Sequence, residues 1–151
     1  MAKSDLAINI LFDQFEHLGR DKRADAYTLR ARNEKTKWIR RWVNADSENM
    51  RKEAIKSNLL QEAYKNYSLG FHEDLNHFYS GVNALGLLKI IIALADKESA
   101  VWASKFNSPE EAKRVLKEYS VEVNDLAIVV RRAVESEQRA LESKIQKADS
   151  R

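Results

Sequence analysis

Apolar residues recur at helical spacing along most of this chain, and the spacing divides it into a series of helices. Ile8, Leu11, Phe12 and Phe15 fall at i, i+3, i+4 and i+7, one face of a first helix. Ser4 is placed to cap that helix, because its hydroxyl can accept from a free amide of the first turn, and Gly19 is placed to end it. A second helix is predicted from about Asp21 to Val43, with Tyr27, Ala31, Trp38 and Trp42 near one face. Two indoles one turn apart bury a large area when docked on neighbours, so the core is their expected place.

The segment "NADSEN" offers several caps for a third helix reaching about Phe71. In it Leu60, Tyr64, Tyr67 and Phe71 form one stripe, and Ile55, Leu59, Ala63 and Gly70 widen it toward a second neighbour. A fourth helix is predicted to start near Ser80 and carries Ala84, Leu87, Leu88, Ile91, Ile92 and Ala95, with Leu85, Ile90 and Leu94 on its other faces. Apolar character all round predicts burial on all sides. The longest apolar run, Val82 to Ala95, contains Asn83 and Lys89 and falls short of the roughly 20 residues that span a bilayer. The start "MAKSDLAINILFDQ" carries acid within its apolar stretch and lacks a small-residue cleavage site, unlike a signal peptide. A cytoplasmic protein that does not engage a membrane is expected.

A short helix is predicted from Asp96 or Lys97 through Trp102 to Phe106. "SPEE" then marks a clear start: Ser108 as cap, Pro109 at the first helical position and Glu111 placed to close a capping box. From there Ala112, Leu116, Tyr119, Val123, Leu126, Val130 and Ala133 alternate steps of four and three. The β-branched residues of "SVEVNDLAIVV" admit a short strand, but the repeat crosses Ser120 without a phase break, which favours a helix. This 112–133 seam can pack on its own core or zip to a second copy, and packing on its own core is preferred. The seam fades at Glu137, and the polar tail is expected to fray, giving one domain over 1–148 and a frayed end at 149–151.

Composition narrows the fold further. Four glycines and one proline in 151 residues supply too little turn chemistry for a many-stranded sheet. The fold class is therefore all-α: about six helices in antiparallel pairs with a long C-terminal helix. The absence of cysteine removes thiol nucleophiles, disulfides and cysteine-based zinc sites. Net charge is only +3, yet the stretch from Arg20 to Arg41 sets nine basic residues against Asp21, Asp25 and Glu34. An anionic partner should meet that helix first.

The best catalytic or metal constellation is "HEDLNH", with His72, Glu73, Asp74 and His77. Helical metal sites present ligands at i and i+3 or i+4, whereas His72 and His77 are five apart across a predicted turn. Loop residues, with Asp74 bracing the turn, are the expected reading. There is no phosphate-cradling glycine loop, nucleophile elbow or zinc-protease helix. No enzyme activity, metal or cofactor is expected. Arg32 and Lys35, three residues apart, can present two donors to an anion; the alternative is a solvated face on which they pair with acids such as Glu62 or Asp74.

"ARNEKTKW" has the spacing of a G-R-x-x-K-x-x-W motif, with Ala31 at the glycine position and Trp38 at the tryptophan. "LLQEAYKNYSLGFHEDLNHFYSGVNALGLL" resembles A-x-x-A-Y-x-x-G-F-x-x-D-x-x-x-x-Y-P-G-I-N-A-x-T-L-L, the core of the tetratricopeptide-like TRAFs-binding domain family. That family occurs in bacterial proteins and in the central regulatory region of apoptosis signal-regulating kinases. Gly70, Phe71, Asp74, Tyr79, Gly81, Asn83, Ala84, Leu87 and Leu88 align without a gap and Tyr64 is taken with them, while Ser80 replaces the proline and Gly86 the threonine. The small pair Ser80 and Gly81 would let the chain turn tightly from Tyr79 into the apolar helix, Asn83 would bond free backbone groups at its start, and Gly70 would let another backbone approach.

The resemblance implies antiparallel helix pairs that stack into a concave surface lined by alternate helices, of the kind that binds peptides or other domains. It thus implies a non-catalytic scaffold or regulatory adaptor whose partner is another protein or peptide. The alternative is a sensor of an anionic ligand, nucleotide or nucleic acid, held by helix 20–41 with Asn83 beside Arg32 and Lys35.

Overall fold

Small residues bring the first two long helices together. In the computed structural model, which describes residues 3–150, Ala24 and Ala31 are fully buried where α2 (Arg20–Trp42) crosses α4 (Leu59–Glu73). A Cβ on Gly70 would stand 3.1 Å from the Ala24 carbonyl oxygen and 3.2 Å from Thr28 Oγ1, so its lack of a side chain sets how closely the two backbones approach. α1 (Lys3–Asp13) lies on α2, and α3 (Met50–Lys56) is tied to it by Trp38, whose indole N–H donates to the Ala54 carbonyl at 2.8 Å. α5 (Phe78–Lys97) packs on α4, α3, the short α6 (Ser99–Ala103) and the long α7 (Pro109–Asp149). The described residues contain no strand.

Among the described residues seven α-helices form where about six are expected, because the third breaks at Ser57. Ser57 is extended, with φ −71° and ψ 131°, and its hydroxyl accepts the Leu59 N–H. The break is held from a distance. Lys105, just past α6, donates its ammonium to the carbonyls of Ile55 at 2.8 Å and of Lys56 and Ser57 at 3.3 Å, occupying the free acceptors at the end of α3. Burial pushes this lysine down to about 8, with Glu62 pulling the other way.

Two helix ends also differ from expectation. Ser4 lies inside the first turn of α1, and α1 gives way at Asp13 to a single 3₁₀ turn at Phe15–His17. Gly19 is the cap residue of α2 rather than the end of α1. At the other helix pair, α5 starts at Phe78, so Tyr79, Ser80 and Gly81 are its first turn and not a tight bend. No described residue has positive φ. Gly81 answers to packing instead: a Cβ there would sit 2.9 Å from two carbons of the Phe71 ring and 3.0 Å from Val130 Cγ2. The turn itself runs through Asp74, whose carboxylate accepts the Asn76 N–H and whose carbonyl accepts that of His77.

α5 is 20 residues, long and apolar enough to cross a bilayer by length and composition, although the unbroken apolar run inside it is shorter. It is the helix with the most neighbours, and Ala84, Leu87, Leu88, Ile91 and Ala95 are buried. Ile92, expected with them, is half-buried. The expected enclosure on all sides does not occur. Val82, Gly86, Lys89 and Ile90 are exposed, because no helix covers that side.

α7 begins as predicted, with Ser108 Oγ accepting the Glu111 N–H at 3.1 Å; the Glu111 carboxylate takes the N–H of Asn107. Its seam faces its own domain. Tyr119 meets Tyr64 edge-on at 5.6 Å and Trp102 at 6.3 Å, while Ala112, Leu126 and Val130 are buried. Residues 112–133 are thus occupied internally and are not the free face that zipping to a second copy requires. The expected frayed tail is helix through Asp149, followed by Ser150 as its cap; Arg151 lies outside the described residues. Every residue from Gln138 to Ser150 is exposed.

Candidate functional site in the groove between α2 and α5

α2 and α5 both lie along α4, which leaves a groove between them floored by the fully buried Tyr67. Thr28, Arg32, Lys35, Ile39 and Trp42 share the facing side of α2, at steps of four and three. Tyr79, Asn83, Gly86, Ile90 and Leu94 do the same on α5. Lys35 Nζ donates to Asn83 Oδ1 at 2.8 Å, and Asn83 Nδ2 donates to the Tyr79 carbonyl at 2.9 Å. The ammonium also stands 5.3 Å from the Tyr67 ring centre, within cation–π range. Tyr79 meets Tyr67 edge-on at 6.3 Å.

Polar capacity is left over at this end of the groove. Among the described residues neither Arg32 nor Lys35 forms an ion pair. The acids considered for them are elsewhere: Asp74 braces its turn, and Glu62 lines an open cleft with Arg41, Glu53 and Lys56. Glu34 turns away to Asn66 Nδ2 at 2.9 Å, and its burial raises its pKa. The Tyr67 hydroxyl is buried without a hydrogen-bond partner. Burial, then the adjacent Tyr79, push its pKa well above the phenol range, and Arg32 opposes them.

The groove changes character toward the other end. Trp38, Trp42, Met50, Ala54, Ile90 and Leu94 line an apolar hollow of about 270 Å³, with Arg51 at its rim held by Glu98 at 3.1 Å. The Trp42 indole N–H is buried there without a partner. Lys35 and Trp42 are seven residues apart on one helix face, about 10 Å along the axis.

At the foot of the groove Asp25, His77, Ser80 and Thr28 join α2 to α5. His77 Nε2 is 3.3 Å from Asp25 Oδ1, His77 Nδ1 is 2.9 Å from Ser80 Oγ, and Ser80 Oγ is 2.5 Å from Thr28 Oγ1. The order Asp, His, Ser is that of a hydrolase relay. Ser80, however, is 0% exposed and engaged by Thr28, so no substrate carbonyl can reach it. His72 belongs to a separate network, with Nδ1 2.7 Å from the Ser68 carbonyl, and Glu73 pairs with Arg23 at 3.2 Å. The described residues hold no group of three metal-ligating side chains.

The residues singled out from sequence therefore fall in three places. Arg32, Lys35, Tyr79 and Asn83 line the groove. Gly70, Gly81 and Phe71 are close contacts that set the distances between helices, and Trp38 is core with one edge on the apolar hollow. Tyr64 and Asp74 lie outside the groove, Tyr64 beneath a cleft between α4 and α7 and Asp74 in the turn. Thr28, Trp42 and Ile90 were not expected as site residues, and His77, weighed only with His72, Glu73 and Asp74, was expected to be a loop residue. The four-three spacing of Thr28, Arg32, Lys35, Ile39 and Trp42 was the available signal.

Residues 2–88 match the family described as Tetratricopeptide Repeats-Sensor, a span that runs from α1 into the first half of α5 and contains the basic end of the groove. No curated protein and no solved structure matches the chain.

Proposed function

The chain belongs to the Tetratricopeptide Repeats-Sensor family, and on that premise we propose that it is a non-catalytic adaptor whose α2–α5 groove seats a segment of a partner protein. In this reading Arg32 and Lys35 take an anionic side chain, and the hollow at Trp42 takes an apolar one about two helical turns away. The observation that carries it is the pair of cations with no acid partner at one end of a groove that turns apolar at the other. A carboxylate or phosphate placed there would accept charge-assisted bonds, which are about twice as strong as neutral ones. The indole N–H of Trp42 would gain a peptide carbonyl. The resemblance to TRAFs-binding domains of kinase regulatory regions leads the same way, and the cytoplasm is the setting proposed.

A second reading is that the same donors hold a nucleotide or nucleic acid, favoured by the basic excess on α2 and by the sensor role in the family's description. Fluorescence anisotropy separates the two. A labelled peptide with glutamate seven residues before leucine should bind, and both Lys35→Ala and Trp42→Ala should weaken it about tenfold or more, as hot-spot truncations do. Binding of a nucleoside triphosphate or single-stranded RNA that Lys35→Ala abolishes and Trp42→Ala leaves alone would move the assignment to the second reading.

A further inference from the structure

The cleft between α4 and α7 is separate from the groove and holds an unused polar group of its own. Its floor is Tyr64, only 5% exposed, whose hydroxyl is buried without a hydrogen-bond partner among the described residues. Tyr119, which meets Tyr64 edge-on at 5.6 Å, and Leu69 form apolar walls. The rim is charged, with Glu122 from α7 and Glu62 and Lys65 from α4. The volume is about 420 Å³, within the range of small-molecule sites. We infer that this cleft binds a small organic cation, an ammonium or guanidinium group on an apolar body, held between the Glu122 carboxylate and the Tyr64 hydroxyl.

Charge selects the sign of the guest. The lining sets two acids against one base, Lys65, and none of the three forms an ion pair among the described residues. Glu62 also lines the neighbouring cleft with Arg41 and Lys56, so Glu122 is the carboxylate the site depends on. The phenol supplies the second contact. Burial and then Glu122 push the Tyr64 pKa well above the phenol range, with Ser68 opposing, so the hydroxyl keeps its proton. Glu122 is thus close enough to act on the phenol without closing a hydrogen bond to it. An N–H group lodged between them would donate to both oxygens and give the buried hydroxyl the partner it lacks. The rings favour the same guest, because the face of a tyrosine attracts a cation. They also shape it: an alkyl or aryl body gains by covering Leu69 and the tyrosines, which a hydrated metal ion does not. Free amines and guanidines carry this chemistry, and so does the end of a lysine or arginine side chain.

The test is NMR of the full chain with isotope-labelled tyrosine rings, titrated with phenethylamine, butylguanidine and acetyl-arginine amide, and with phenethyl alcohol as the uncharged counterpart of the first. The cations should move the signals of Tyr64 and Tyr119 to saturation and leave those of Tyr67 and Tyr79, in the groove, in place; the alcohol should move none. Glu122→Gln, at a half-buried carboxylate, should weaken binding about tenfold or more, the worth of a hydrogen bond to a charged group. Tyr64→Phe should weaken it about threefold to tenfold. Because the hydroxyl has no partner to lose, the same variant should leave the melting temperature of the ligand-free domain unchanged. Lys65→Ala, which removes the opposing charge, should strengthen binding, and Lys35→Ala in the groove should not alter it. Acetyl-arginine amide binding as tightly as butylguanidine assigns the site to a side chain of a partner protein, whereas binding of the amine and guanidine without it assigns the site to a free small molecule. Tyr64 and Tyr119 signals that no cation moves at millimolar concentration, equal binding of the alcohol, or Glu122→Gln binding like the wild type would overturn the inference.

Discussion

The two sides of α5 carry nearly the same residue types and meet opposite fates. On one, Leu87, Leu88 and Ile91 are buried under α4, α3, α6 and α7; on the other, Val82, Lys89 and Ile90 are exposed. The two glycines of the helix make the contrast sharpest. Gly81 has no room for a Cβ, whereas Gly86, five residues on, has nothing within 4 Å of where one would stand. Apolar character all round a helix therefore has two outcomes here, enclosure by the chain itself on one side and exposure on the other.

The largest expected effect comes from putting a charge on the enclosed side. Leu88 is 0% exposed, so Leu88→Asp buries an unpaired carboxylate and should cost more than about 4 kcal/mol, unfolding the domain. Circular dichroism and thermal melting read this directly; a helical variant with an unchanged melting temperature would erase the distinction between the sides. The same change at Ile90, which is 39% exposed, should leave the fold intact.

Next in size is Gly81→Ala, expected to cost about 1–3 kcal/mol as an overpacking change, because the new methyl meets the Phe71 ring and Val130. Urea denaturation gives the value, and combining it with Phe71→Leu should recover part of the loss if that ring is the obstacle. Gly86→Ala should do the reverse, stabilising the domain by about 0.5–1 kcal/mol through helix propensity alone. If both alanines shift stability in the same direction, the two sides do not differ in the way described. The smallest effect concerns the far end of α7: residues 138–150 are all exposed, so ending the chain after Glu137 should leave the melting temperature within about a degree or two.

Most helices were legible because helix signals are local. The cap at Ser108 and the stripe of Leu60, Tyr64, Tyr67 and Phe71 each lie within a few residues, and each forms, although the Glu111 carboxylate closes on the N–H of Asn107 rather than that of Ser108. The break at Ser57 was not legible, since the group that holds it, Lys105, comes from beyond α6. The small pair Ser80 and Gly81 invited a turn, but backbone freedom was not what the position needed. It needed room for Phe71 and a partner for Thr28 and His77.

In the candidate site, Arg32 and Lys35 could be named from their charge and spacing, and Asn83 from a family motif. That Lys35 reaches Asn83, that Glu34 turns to Asn66 and that Trp42 shares a hollow with Ile90 depend on which helix lies beside which. The sequence alone determined that the chain is helical, where most helices lie and which face of each is apolar, because those follow from periodicity and capping among neighbours in the chain. Only the tertiary structure decided which apolar face stays open, which charges go unpaired and which side chains meet Ser80. Each of these depends on atoms that become neighbours only once α2, α4 and α5 have packed together.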